Sequence, residues 1–157
     1  MDALDELKQM AREGQRESRI MSKAYSSTLS ALVPANILLV VGAALFSLVA
    51  GASILIKQEF LSETRAGLLA LASAALTVLH TKLHCEKYQA ESKRLSMLYR
   101  GIALDYGNLQ IISDPDELRK SLSELNKQAS AVTKNATAEP FGWALKKAKK
   151  STPRSQP

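Results

Sequence analysis

Between Lys23 and Lys57 the chain carries no charged residue, and a second uncharged stretch runs from Ala66 to Thr81. Crossing a hydrocarbon core of about 30 Å takes roughly 20 apolar residues in a helix, because each residue rises about 1.5 Å. The stretch Ala35 to Ile56, ANILLVVGAALFSLVAGASILI, meets that length. Pro34 stands just before it and marks the start or the kink of the first span, where a fixed backbone angle and a missing N–H do least harm. The second stretch, AGLLALASAALTVLHT, is short for a span. Arg65 and Lys82 can snorkel outward and a neutral His80 can sit at the interface, so it reads as a second transmembrane helix. The polar segment KQEFLSETR between the two makes a tight helical hairpin. A pair of buried core helices would show the same pattern, but the rest of the chain has too little apolar surface to surround them. A secretory signal also fails, since the run begins late and is too long for a signal's apolar region.

On either side the pattern turns amphipathic. Leu4, Leu7 and Met10/Ala11 sit at helical spacing among interleaved acids and bases, which predicts a short N-terminal amphipathic helix. It is expected to break near Gly14, with a second helical piece leading into the membrane through Ser26, Ser27 and Thr28. Beyond the second span, Tyr88, Leu95, Leu98, Ile102, Leu109 and Ile112 recur at helical steps, broken only by Glu91 and Asp105. This predicts one long cytoplasmic stripe, continuous with the second span, that must bury itself against something. The N-terminal helix of the same chain and a neighbouring subunit fit it equally well, making these six residues a candidate oligomer or partner interface.

Ser113-Asp114-Pro115-Asp116-Glu117 is a helix start, with Asp114 as cap, Pro115 in the first turn and Glu117 reaching back. Leu118, Leu122 and Leu125 give that helix one apolar face, expected to weaken from about Ala129. Glu139-Pro140-Phe141 opens a short basic helix with Trp143, Leu145, Lys146, Lys147, Lys149 and Lys150. The tail STPRSQP is expected to be disordered. The expected fold is therefore an all-α membrane protein built on a two-transmembrane helical hairpin, with an N-terminal amphipathic helix and long C-terminal cytoplasmic helices. Its segments are a cytoplasmic N-terminal piece (1–30), a first span (31–56), an outer loop (57–65), a second span (66–84), a cytoplasmic helical region (85–150) and the tail (151–157).

Charge fixes the expected orientation. Arg12, Arg16, Arg19 and Lys23 precede the first span, and Lys82, Lys87, Lys93, Arg94 and Arg100 follow the second, while the loop holds Lys57 and Arg65. Cationic residues concentrate on the cytoplasmic side, so both termini are expected there. The length, 157 residues, suits one domain. A single cysteine excludes an internal disulfide framework and a zinc-finger site. Much of the net charge of +6 lies near the C-terminus, in Lys146 to Lys150 and Arg154. Trp143 beside that cluster suits a membrane surface at least as well as nucleic acid, and no nucleic-acid partner is expected. The N-terminal segment balances its acids and bases, so it is not a polybasic lipid anchor.

Candidate chemistry inside the membrane is sparse. Ala43, Ser47 and Gly51 lie at four-residue spacing in the first span, with Asn36 on the same face. Ser73, Thr77, His80 and His84 follow in steps of four, three and four in the second. Small and weakly polar stripes of this kind suit tight helix packing or a narrow wet lumen, and no charged residue in either span marks an ion path. A two-helix subunit cannot enclose a channel alone, so a lumen implies a homo-oligomer. A metal site at His80, His84 and Cys85 is rejected, because Cys85 is expected off the histidine face and no carboxylate shares their spacing. Asn135-Ala136-Thr137 matches a glycosylation acceptor, but on the side expected to be cytoplasmic. With no glycine-rich phosphate loop, no G-x-S-x-G, no H-E-x-x-H and no intramembrane carboxylate pair, neither an enzyme nor a cofactor is expected.

The layout resembles the SLATT family, the SMODS and SLOG-associating two-transmembrane effector domains of bacterial conflict systems. The resemblance covers most of the chain. It rests on the hairpin with its short outer loop, the segment HCEKYQAESKRLSMLYRGI, the run LRKSLSELNKQAS and the closing PFGWALKKAKKS. It implies a multi-pass protein of the bacterial inner membrane that oligomerises and permeabilises or depolarises the membrane in anti-phage abortive infection. No nucleotide-binding or nucleotide-synthesising domain accompanies the hairpin in this sequence. Triggering is therefore expected from a separately encoded sensor or nucleotide-signalling protein, or from the cytoplasmic helices. The alternative is a membrane-anchored scaffold or regulatory subunit that docks a soluble partner through those helices.

Overall fold

The computed structural model describes residues 3–55, 62–82 and 85–153. Every regular element among them is an α-helix: α1 (Ala3–Leu55), α2 (Glu63–Lys82), α3 (Cys85–Leu109), α4 (Pro115–Lys134) and α5 (Gly142–Lys150). The expected end of the first span at Ile56, most of the outer loop, the junction at 83–84 with its His84, and residues 154–157 with Arg154 lie outside the described residues.

The chain divides into two compact units. One joins Met1–Leu29 to Ala90–Pro157, and the other is Ser30–Gln89.

The first unit has a conventional core. Ala11 of α1 is buried with Ile102, Tyr106 and Leu109 of α3 and Leu118, Leu122 and Leu125 of α4, and Leu4, Leu7, Ile112, Ala129 and Val132 pack against them. The N-terminal stripe of the same chain therefore covers much of the α3 face. The expected phase of that face needs correcting. Leu95, Ile102 and Leu109 are buried, but so are Ser92, Tyr99 and Tyr106, while Leu98 is exposed. Tyrosine fills the alternate layers of the stripe because its ring packs while its hydroxyl reaches the rim. Tyr99 stacks on Tyr25 with centroids 5.9 Å apart and shares a 3.0 Å hydrogen bond with Thr133. Tyr106 donates to Asn126 Oδ1. Burial, and then the nearby charge of Glu17, pushes its phenol pKa up.

The expected break at Gly14 is absent, and α1 runs through it. A Cβ at this position would lie 2.6 Å from the Tyr106 ring. The glycine is there for close approach between helices rather than as a stop. Pro34, expected at the start or the kink of the first span, lies inside α1. The start of α4 follows the sequence: Asp114 is the N-cap, its carboxylate accepts from Asp116 N, and Pro115 opens the first turn. The helix does not weaken at Ala129 but continues to Lys134, because Ala129 and Val132 still have a core to face.

In the second unit α1 and α2 meet over small residues. Ser73 Oγ donates to Ala43 O at 2.8 Å, and Leu76 Cδ1 lies 3.5 Å from where a Gly42 Cβ would stand. Gln89 Nε2 donates to Leu32 O at 3.0 Å. Two helices are long and apolar enough to cross a membrane, and none of the most apolar stretch of α1 is buried inside the protein.

Candidate membrane-spanning helix pair

In the second unit most of the residues turned inward are small or polar, with Leu39, Leu69 and Leu76 among them. Ala50 and Ala66 are buried, and Asn36, Leu39, Gly42, Ala43, Leu69, Ala72, Ser73, Leu76 and His80 are partly buried. Most of the large apolar side chains point outward, with Leu38 73% exposed, Leu48 68% and Leu71 69%. A soluble helix pair would reverse this arrangement.

The inward faces repeat every seven residues, as Asn36-Ala43-Ala50 on α1 and Ala66-Ser73-His80 on α2. Seven residues drift by only about 20° around a helix, whereas each step of four turns the face by roughly 40°. This explains why the expected stripe divides. Asn36 and Ala43 stay on the contact face and Gly51 lies at its edge, but Ser47 is exposed. On α2, Ser73 and His80 stay on the face, while Thr77 is exposed and donates to Ser73 O at 3.0 Å, satisfying itself on its own helix. Ser53 and Thr81 do the same, to Val49 O and Thr77 O. Ala50, Ala66, Gly42 and Leu76 were missed by the four-step reading, and the seven-residue spacing was the signal for the two alanines.

Two polar atoms on these faces are buried without a hydrogen-bond partner, Asn36 Oδ1 and His80 Nε2. In hydrocarbon such a group costs several kcal/mol by order of magnitude, so each calls for a water or a further donor or acceptor. Asn36 lies near the start of the apolar stretch Ala35 to Ile56, and His80 near the end of the second uncharged stretch.

The six residues expected as a cytoplasmic interface fall in different settings. Leu95, Ile102 and Leu109 are spent on the internal core, Ile112 packs at its edge, Leu98 is exposed, and Tyr88 is partly buried in the second unit. The open surface of the first unit lies elsewhere. A groove of about 770 Å³ runs between α1 and α4, lined by apolar Leu7, Met10 and Leu122 and by basic Arg119, Lys127 and Lys134. None of its lining residues is acidic, although Lys127 stands 3.7 Å from Glu124 on its own helix.

No family model, curated protein or solved structure matches this chain.

Proposed function

We propose that α1 and α2 form a transmembrane hairpin of the bacterial inner membrane, with both termini cytoplasmic. The chain is then an effector of the SLATT kind, not an enzyme, that assembles with further copies to permeabilise or depolarise the membrane in anti-phage defence. The observation that carries the reading is the inverted second unit, which turns most of its large apolar side chains outward and keeps mostly small and polar ones inside. Leucine gains nothing by burial against another helix when lipid is already apolar, so contact falls to residues that let backbones approach.

In an antiparallel hairpin, stepping seven residues each way from the Ala43–Ser73 contact sets Ala50 level with Ala66 and Asn36 level with His80. The two unpartnered polar atoms then share one layer, the place where a water or a neighbouring copy would enter. The exposed Ser47 and Thr77 are the polar positions left for contacts between copies. Two helices cannot surround a lumen, so the reading requires an oligomer. A separately encoded sensor is the expected trigger.

The test is membrane potential, followed with a voltage-sensitive dye in bacteria expressing the chain, with and without phage challenge. Depolarisation that disappears in Ser47→Leu plus Ser73→Leu, with insertion unchanged, is the expected result. A potential that holds under every condition, with the chain shown to be inserted, overturns the pore.

The groove between α1 and α4 favours one second reading, a membrane-anchored regulatory subunit that docks an acidic segment of a soluble partner. Under it, Arg119→Glu with Lys134→Glu abolishes co-purification of that partner, and the potential never changes.

A further inference from the structure

α5 lies on the first unit with its direction fixed at both ends. Phe141 N, just before the helix, donates to Thr28 Oγ1 at 3.0 Å. Past its other end, Ser151 O and Thr152 Oγ1 accept from Lys23 Nζ at 3.2 and 3.1 Å, and Thr152 O accepts from Arg16 Nε at 3.4 Å. The helix therefore runs antiparallel to the first part of α1. Ala148 is buried with Ile20 and Ala24, and Leu145 packs against them. Ahead of it, Tyr25 Oη donates to Ala138 O at 2.8 Å, which fixes the approach to Phe141.

The inner face of α5 is thus committed, and the outer face is not. Ala144 and Ala148 face inward, while Trp143, Lys146, Lys147 and Lys150 recur at steps of three and four along the outside, and all four are exposed. No acid occurs in GWALKKAKK. Trp143 is half exposed, with the Phe141 ring 6.2 Å away. In the sequence Thr28 lies three residues before position 31, where the expected first span begins. The aromatic end of α5 is thus the end tied to the part of α1 that is nearest, along the chain, to the expected span.

We propose that α5 is a lipid-reading foot: Trp143 seats in the headgroup layer, and Lys146 and Lys147, one turn farther out, bind the phosphates of anionic phospholipids. Lys150, about 10 Å beyond Trp143 along the axis, adds long-range attraction over a distance comparable to the Debye length. Tryptophan prefers the interface because one part of its ring is apolar and its N–H needs a partner, and cations close to an anionic leaflet are held there. The foot rests on the membrane reading above and adds to it a lipid class and the residues that read it. Because Ile20 and Ala24 hold α5 to α1, the lipid under the foot acts on the helix that enters the membrane.

Trp143 is the only tryptophan in the chain, so its fluorescence reports the foot alone. The full-length protein is reconstituted in vesicles of phosphatidylcholine, with or without added phosphatidylglycerol, and quenched by bromine-labelled lipid or by aqueous iodide. The expected result is blue-shifted emission with quenching by brominated lipid that rises several-fold when phosphatidylglycerol is present. Lys146→Gln with Lys147→Gln removes that increment, and Lys146→Arg with Lys147→Arg retains it. Emission that stays water-exposed and equally open to iodide in both vesicles overturns the proposal, as does a shift produced by added DNA but not by phosphatidylglycerol. Carbonate extraction separates the two levels. A chain that is washed off the vesicles refutes the membrane reading, whereas a chain that stays inserted with an indifferent Trp143 refutes only the foot.

Discussion

Every buried leucine among the described residues lies in the first unit, and the most exposed leucines lie in the second. In the first, Leu95 and Leu118 are fully buried, Leu118 beside Tyr106 and other leucines. In the second, Leu38, Leu48 and Leu71 are among the most exposed side chains, and alanine, serine, asparagine and histidine are turned inward. The same residue type changes sides because the expected solvent changes. Against water, burying a leucine stabilises by roughly 1.5–3 kcal/mol. Against lipid that gain vanishes, and helix contact depends on close approach and on a few hydrogen bonds. One chain thus holds two opposite rules of inside and outside.

Truncating leucine breaks this comparison most sharply. Leu118→Ala empties a fully buried site shared by α1, α3 and α4. Its expected effect is a loss of about 2–5 kcal/mol. Leu38→Ala removes a side chain that touches little of the protein. Its expected effect on thermal unfolding in detergent is within about 0.5 kcal/mol. Circular dichroism melts of both variants decide the matter, and equal losses would show that Leu38 has a protein partner after all.

Glycine gives the next largest contrast. Alanine normally stabilises a helix over glycine by up to about 1 kcal/mol. At Gly51 nothing lies within 4 Å of the added Cβ, so Gly51→Ala is expected to be neutral or better. At Gly14 the same atom would lie 2.6 Å from the Tyr106 ring, so the ring and its bond to Asn126 must move. Gly14→Ala is expected to lower stability by about 1–3 kcal/mol. A near-ultraviolet signal from Tyr106 unchanged in that variant would contradict the close approach.

These two glycines also show how much could be read in advance. Uncharged runs gave the two long apolar helices, and Asp114-Pro115 gave the start of α4, because length and capping are local properties. The Gly14 break was misplaced because a glycine that ends a helix and one that admits a neighbouring ring look alike until the neighbour is known. The α3 stripe is read from Tyr88 and from Leu and Ile, which leaves out Tyr99 and Tyr106, and Leu98 lies off the face that is buried. On α1 the four-residue rhythm of Ala43, Ser47 and Gly51 hid the seven-residue face that includes Ala50. The tie between Phe141 and Thr28 joins residues more than a hundred positions apart, and no local pattern announces it.

Acid sharpens the comparison in a smaller way. Glu91 accepts two 2.8 Å hydrogen bonds from Arg94 and a longer one from Thr137 N. The Arg94 guanidinium, against some opposition from burial, holds the Glu91 pKa down to about 2 from an ordinary 4.5. A depressed carboxylate stabilises the fold above its unfolded value, and that contribution is lost as pH falls from 4.5 through about 2. The first unit is expected to lose stability over that window, modestly and less so in high salt, because Arg94 is half exposed. Glu91→Gln should flatten the acid limb of a melting-temperature profile. The two uncharged stretches hold no carboxylate, so contact between α1 and α2 should not respond over the same range.

The smallest effect is expected where the sequence drew most attention, at Ser73. Its hydroxyl donates to Ala43 O, a carbonyl that also serves the α1 helix. Hydrogen bonds between helices in membranes contribute about 0.6 kcal/mol on average, because the separated helices find other partners for the same groups. Ser73→Ala keeps the residue small and should shift helix association by about that amount, whereas Ser73→Leu forces apart backbones that Gly42 and Ala43 allow to approach. Förster transfer between dyes placed on α1 and α2 in bicelles measures both. A small change for alanine with a large one for leucine means that shape rather than the hydroxyl holds the pair, as the inverted unit requires. If alanine alone separates the helices, the hydrogen bond holds the pair, and the unpartnered Asn36 and His80 become the next positions to test in the same way.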